Sequence, residues 1–170
     1  MDPLTMLASL FLYPDDEYAR RAVTAAAALK HPALDTFVDR IRALGTTALQ
    51  ERFIDTFDLN PAATLEIGWH IYGEQYERGE LLVTLRQHLR DANIAETGEL
   101  PDHLIHVLPL LAAMNAADRA GFVDRYLDPA LERIAAALPA ENPFADLVRA
   151  TREIAVQAQG LTPAAGGCHD

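Results

Sequence analysis

A chain of 170 residues, half of them apolar, is the size of one domain and can bury a core without disulfides or metal as staples. Its 25 carboxylates against 14 Lys and Arg give a net charge of −11, which sets the surface against nucleic-acid backbones and anionic membranes and leaves cationic partners permitted. The single cysteine, Cys168, excludes an internal disulfide framework and a Cys-rich zinc site, and no run approaches the roughly 18 consecutive apolar residues of a membrane span.

Met1 to Tyr13 carries Asp2 and no Lys or Arg ahead of its apolar residues, unlike a secretory signal. It reads as a first core helix, and the expected compartment is the cytoplasm. Asp2-Pro3 opens that helix: an Asx side chain at the N-cap accepts a free backbone N–H, and proline at the first helical position forfeits no bond. Asn60-Pro61, Asp128-Pro129 and Asn142-Pro143 predict three further starts. Apolar residues recur at helical spacing in five stripes. These are Leu4, Leu7, Leu10 and Phe11; Leu34, Phe37, Val38, Ile41 and Leu44; Leu49, Phe53, Ile54 and Phe57; Leu81, Leu82, Leu85 and Leu89; and Phe144, Leu147, Val148, Thr151 and Ile154. Thr47 and Gln50 have the spacing of a capping box, and Gly45 and Gly160 stand where helices should stop. No apolar run has period 2. The expectation is an all-α, single-domain multi-helix bundle of about eight helices with no sheet, over residues 1–160, followed by a disordered tail at 161–170.

Residues 66–80 (EIGWHIYGEQYERGE) break the local rules. Gly68, Gly73 and Gly79 each cost about 1 kcal/mol relative to Ala inside a helix, and Trp69, Tyr72 and Tyr76 crowd beside His70, Glu74 and Arg78. Conflicts of this kind mark functional or strained sites, and a corner turning at Gly73 is an equal explanation. Templates for catalysis fail: there is no glycine-rich phosphate loop, no nucleophile elbow, and no pair of Glu-x-x-His motifs for a di-iron bundle. Glu66, His70 and Glu74, at i, i+4 and i+8, can share a helix face, and His103 and His106 lie near Glu99 and Asp102. Each is an incomplete metal set, and His70 reads first as a hydrogen-bonded side chain among aromatics. Cys168-His169 is a lone pair in a tail. These patterns assign no catalytic residue, no metal and no permanently bound cofactor.

Over residues 53–111, Phe57-Asp58 with Pro61 is followed by His70, Tyr72 and Gly73, then Arg78-Gly79, then Glu99-Leu100-Pro101-Asp102. In order and spacing this resembles the assembly chaperones of respiratory nitrate reductase, also called its delta subunit, which belong with the wider redox-enzyme maturation proteins. Leu12-Tyr13-Pro14-Asp15 is similar to the family's usual opening. The family's Gly-Asp is Gly73-Glu74 here, and His103 and Ile105 replace an aromatic and a proline that often follow Leu-Pro-Asp.

The resemblance implies a helical bundle without catalytic turnover, acting as a cytoplasmic, system-specific chaperone. Its partner would be the catalytic subunit of a molybdenum-containing respiratory oxidoreductase, bound through that subunit's N-terminal, basic or twin-arginine-like segment. The chaperone would assist molybdenum cofactor insertion before assembly or export, touching the molybdenum guanine dinucleotide only transiently. A groove between helices takes such a segment's apolar face while rim carboxylates pair with its arginines. Asp58, Glu74 and Asp102 are the candidate carboxylates, Trp69, His70 and Tyr72 the candidate lining, and Arg78 belongs to the same set. Phe57, Pro61, Gly73, Gly79, Leu100 and Pro101 read as structural. Each has a local alternative: Asp58 and Asp102 as helix caps, Arg78 paired with Glu74 at i, i+4, Pro101 as a helix start. Two readings of the whole chain also stay open, a permanent structural subunit of a redox complex and a helical metal-binding enzyme using Glu66, His70 and Glu74.

Overall fold

Asp2 accepts the Leu4 N–H at 2.8 Å and opens α1 (Pro3–Ala8), the first of ten α-helical stretches in the computed structural model, which describes residues 1–159. A 3-10 turn (Ser9–Phe11) extends α1, and α2 (Tyr18–Leu29) and α3 (Pro32–Arg42) follow. Helix α4 (Thr46–Phe53) runs into a π turn (Ile54–Asp58), and Pro61–Ala63 forms a second 3-10 turn. Then come α5 (Ile67–Tyr72), α6 (Tyr76–Asp91), α7 (Leu104–Ala113) and α8 (Ala116–Phe122). A π turn (Val123–Leu127) leads into α9 (Asp128–Ala136), and α10 (Pro143–Gln157) ends the described chain. No strand forms among the described residues; the only sheet-like contact is a single antiparallel bridge between Glu66 and His103. The all-α expectation holds. The expected stop at Gly160 and the expected disordered tail lie outside the described residues.

The stripes read from the sequence form the core. Leu7, Leu10, Leu34, Phe37, Phe144, Leu147 and Val148 are wholly enclosed. Each such side chain contributes about 1.5–3 kcal/mol over its exposed state. Helix α7 is apolar on nearly every face, with Leu104, Val107, Leu108, Leu110 and Leu111 all buried, so it lies inside the bundle rather than on it. Helix α1 rests on α7, while α10 is clasped between α3 and α9. Helix α6 stands to one side, where Leu81, Leu85 and Leu89 meet Leu110 of α7 in a smaller cluster that Tyr72, Phe122 and Tyr126 close.

Three of the expected starts are capped as read: Asp2, Asn60 and Asn142 each accept a backbone N–H at the following turn. Asn60 heads only the 3-10 turn. The fourth is different. At Asp128-Pro129 the chain arrives already helical through the preceding π turn. Pro129 has no N–H for the Arg125 carbonyl and its ring crowds that carbonyl, and the wider π turn just ahead gives the ring room. Asp128 binds Arg152 of α10 instead, with Nε 2.5 Å from Oδ1. The capping box does not form either: Gly45 is the N-cap of α4, and the Gln50 side chain donates to the Pro14 carbonyl at 2.8 Å. Gly45 therefore begins a helix rather than ending one, since α3 stops at Arg42.

Candidate functional site

Four separate stretches of chain converge on a cleft of about 460 Å³. Its floor is aromatic. The π turn at Ile54–Asp58 brings Thr56 and Phe57 to the interior and leaves Asp58 at the surface. The turn is pinned from inside, because Thr56 Oγ1 donates to the Arg52 carbonyl (2.6 Å) and accepts from Asn142 Nδ2 (2.9 Å). Phe53 and Phe57 then meet edge to face at 5.1 Å, both against Phe144, with Phe11 edge-on to Phe57 at 6.4 Å. The mouth is formed by Leu12 and Tyr13. Gln50 holds the Pro14 carbonyl and the buried Tyr18 hydroxyl donates to the Leu10 carbonyl at 2.5 Å, so this connection is tied down at both ends. Tyr13 packs edge-on against Phe53 at 5.9 Å. Four of the large apolar side chains that remain exposed, Leu12, Tyr13, Leu59 and Leu100, belong to this cleft or sit next to its lining residues.

The opposite wall comes from residues 64–66 and 97–105. Ile67 N–H donates to the Asp102 carbonyl (2.9 Å) and Leu104 N–H to the Leu65 carbonyl (3.0 Å), which locks the two segments side by side. His106 fixes the loop above them: its Nε2 accepts the Thr97 N–H at 3.0 Å and its Nδ1 bonds the Leu100 carbonyl at 2.8 Å. Three carboxyl groups line the cleft, those of Asp58, Glu66 and Glu99, and no Lys or Arg does. Partial burial, reinforced by the charge of Glu66, holds the Asp58 carboxyl above its ordinary range. Burial holds the His103 ring down to about 4, against the pull of Glu66, so this one basic lining residue is neutral at neutral pH. The cleft is thus apolar below and anionic at its rim.

Of the client-binding and structural residues read from the sequence, Asp58 and Phe57 line this cleft and Leu100 sits at its edge, 42% exposed rather than packed away. The others fall elsewhere. Asp102 is not a rim carboxylate: it is wholly buried, accepts the Gly68 N–H (3.1 Å), and meets Arg78 through Nε (3.2 Å) and Nη2 (3.5 Å). It does not cap α7, whose N-cap is His103. Arg78 therefore pairs with Asp102 and not with Glu74, and its guanidinium lies 5.8 Å from the Trp69 ring centroid. Gly68 is explained by this contact, since a Cβ there would stand 2.6 Å from Asp102 Oδ2. The ion pair stands behind the cleft and anchors the loop that makes its wall.

His70 is buried, with Nε2 2.7 Å from the Thr64 carbonyl, and burial lowers its pKa. Tyr72 is half-buried against Tyr126. Glu74 is exposed beyond the corner at Gly73, which has φ +57° and ψ −127°, a conformation reserved for glycine. That corner breaks the helix face on which Glu66, His70 and Glu74 were to meet. Among the described residues no three His, Cys, Asp or Glu side chains gather to hold a metal. Pro101 is buried in the turn before α7 rather than at its start. Sequence reasoning missed the roles of Leu12, Tyr13, Glu66, Glu99 and His103. All five lie in or beside the quoted motifs, but only the bridge between residues 66 and 103 reveals that Glu66, Glu99 and His103 share a wall, with Leu12 and Tyr13 across from it.

The family model of the nitrate reductase delta subunit matches residues 20–146, three quarters of the chain. The chain belongs to the nitrate reductase delta subunit family. The match takes in the Arg78–Asp102 pair and most of the cleft, and leaves Leu12 and Tyr13 outside it. Curated relatives include the nitrate reductase-like protein NarX of Mycobacterium tuberculosis, strains CDC 1551 / Oshkosh and ATCC 25618 / H37Rv. Each is 29% identical over 145 residues. The match covers 83% of this chain and only 22% of the relative, so the chain spans about a fifth of those proteins' length. No helix among the described residues is long and apolar enough to cross a membrane.

Proposed function

We propose that this delta-family protein is a cytoplasmic assembly chaperone without catalytic turnover. It binds the N-terminal segment of the catalytic subunit of a molybdenum-containing respiratory oxidoreductase and holds that subunit while the molybdenum cofactor is inserted. Family membership supports a protein that serves a nitrate-reductase-type enzyme. The observation that carries the mechanism is the cleft: an aromatic floor with a collar of exposed Leu and Tyr, rimmed by Asp58, Glu66 and Glu99. A basic, apolar, helix-prone segment complements both features, burying its apolar face on the floor and bringing its positive charges to the rim. The molybdenum guanine dinucleotide cofactor stays with the client in this reading, and any contact with the chaperone is transient.

Calorimetric titration with the N-terminal peptides of the molybdenum catalytic subunits encoded alongside this chain tests the reading. Saturable binding of one peptide is expected, weaker at 0.5 M than at 0.05 M salt because exposed charges are screened over about 10 Å at 0.1 M. Asp58→Ala should weaken it without unfolding the protein, since Asp58 is exposed. Absence of binding by every peptide overturns the leader-binding mechanism.

A further inference from the structure

Asp58, Glu66 and Glu99 form no ion pair among the described residues, while arginines close by are engaged elsewhere, Arg78 with Asp102 and Arg86 with Glu96. One Glu66 oxygen accepts the Thr64 hydroxyl, which fixes the direction of that carboxylate. Against these acceptors the wall sets one donor. His103 is only 8% exposed, and its Nδ1 accepts the Ile105 N–H at 3.2 Å as the cap of α7. The proton of the neutral ring therefore sits on Nε2, and no acceptor among the described residues meets it. Nor is Nε2 sealed in the interior, because the fully enclosed polar side-chain atoms without a partner are Arg21 Nε and Asp146 Oδ2. His103 lines the cleft, which is where this N–H can meet an acceptor on a guest.

Three carboxylates, one N–H without an acceptor and an aromatic ring at the mouth describe a specific guest. A guanidinium is planar, carries five donors, and lies on aromatic faces, whereas an ammonium is a compact point charge. The N–H needs a neutral acceptor, which the main chain of a peptide supplies. We infer that the cleft is an arginine-recognition pocket, in which Asp58 and Glu66 hold the guanidinium of one arginine of the client segment and His103 Nε2–H donates to an adjacent main-chain carbonyl. Tyr13 covers the guanidinium, and Glu99 draws it in from the rim. The inference rests on the client-binding reading and adds to it the side chain that is recognised.

The test uses the full chain, labelled with ¹³C and ¹⁵N for NMR, and three capped dipeptides: acetyl-Phe-Arg-amide and its Lys and citrulline counterparts. The arginine probe should shift the His103 ring nitrogens and the Asp58 and Glu66 carboxylate carbons. Loss of a charge-assisted bond in the citrulline probe, or in D58N or E66Q, should weaken binding about tenfold or more. The lysine probe should bind more weakly than arginine. No shift at these residues, or equal binding by arginine and citrulline, overturns the proposal. The same comparison in the client's N-terminal peptide, Arg→Gln at each arginine in turn, separates the two readings. A peptide that binds with all its arginines dispensable removes the arginine pocket and leaves the chaperone. A dipeptide that binds while no client peptide does keeps the pocket and removes leader binding.

Discussion

Asp102 is wholly buried and has its charge balanced by one partner, the partly exposed Arg78, and one backbone N–H, that of Gly68. Removing Asp102 strips Arg78 of its partner, and because Arg78 is 19% exposed and keeps the Trp69 ring the cost falls below the ~3–5 kcal/mol of a fully buried broken pair, at about 1–3 kcal/mol. Asp102→Ala should lower the unfolding free energy from urea titration by that amount, and Gly68→Ala should fall in the same direction because its Cβ meets Oδ2 at 2.6 Å. An Asp102→Ala protein as stable as the parent would show that the pair does not hold the wall. The buried imidazoles make stability depend on pH. Unfolded, a histidine takes its proton near pH 6.5, whereas folded His103 resists protonation to about 4 and His70 is lowered too. Between those values the unfolded chain binds more protons, so stability is fully present above about pH 6.5 and declines toward pH 4, by on the order of 2–3 kcal/mol from His103. Asp58 and Asp102, both raised mainly by burial, act in the opposite sense and flatten the decline at its acid end. Urea unfolding at pH 7.5, 6 and 5 should show the slope, and His103→Asn, which keeps an N-cap acceptor, should reduce it.

Among the elements, what was legible in the sequence was whatever is decided within a few residues. The stripes at 34–41, 81–89 and 144–151 became core faces, and Asx-Pro caps held at residues 2, 60 and 142. The readings that failed depended on neighbours distant in sequence. Gln50 is drawn from its capping box by the Pro14 carbonyl, and Arg78 from Glu74 by an aspartate 24 residues on. The two π turns leave no periodic trace, yet one of them aims Phe57 inward and Asp58 outward, and so builds one side of the cleft. The three glycines of 66–80 separate by cause. Gly68 makes room for Asp102, Gly73 turns the corner, and Gly79 lies exposed in α6 with nothing within 4 Å of its absent Cβ. Gly73→Ala should therefore destabilise by 1 kcal/mol or more, roughly, and Gly79→Ala should stabilise by up to about 1 kcal/mol. Thermal melts of the two variants check this, and a loss at Gly79 would reveal a contact that the fold does not explain.

For the molecule as a whole, the candidate site was half legible. The motifs at 12–15, 57–61, 66–79 and 99–102 named the right stretches of chain, but the choice among their residues depended on which face each side chain turns. Three-dimensional placement sorts them into two groups. Asp58, Glu66, Glu99, Leu12 and Tyr13 face the cleft, while Gly68, Trp69, Arg78 and Asp102 brace it from behind. This division predicts two phenotypes: variants of the first group lose client binding at unchanged stability, and variants of the second lose stability first.

The proposed chaperone acts on an unfinished enzyme and then leaves it. The direct measurement is size-exclusion chromatography of the purified chain mixed with its catalytic subunit, prepared once from cells able to make molybdenum cofactor and once from cells unable to. A stable complex with the empty subunit and none with the loaded one is the predicted result. Equal retention on the loaded enzyme would make the chain a permanent subunit and contradict the account.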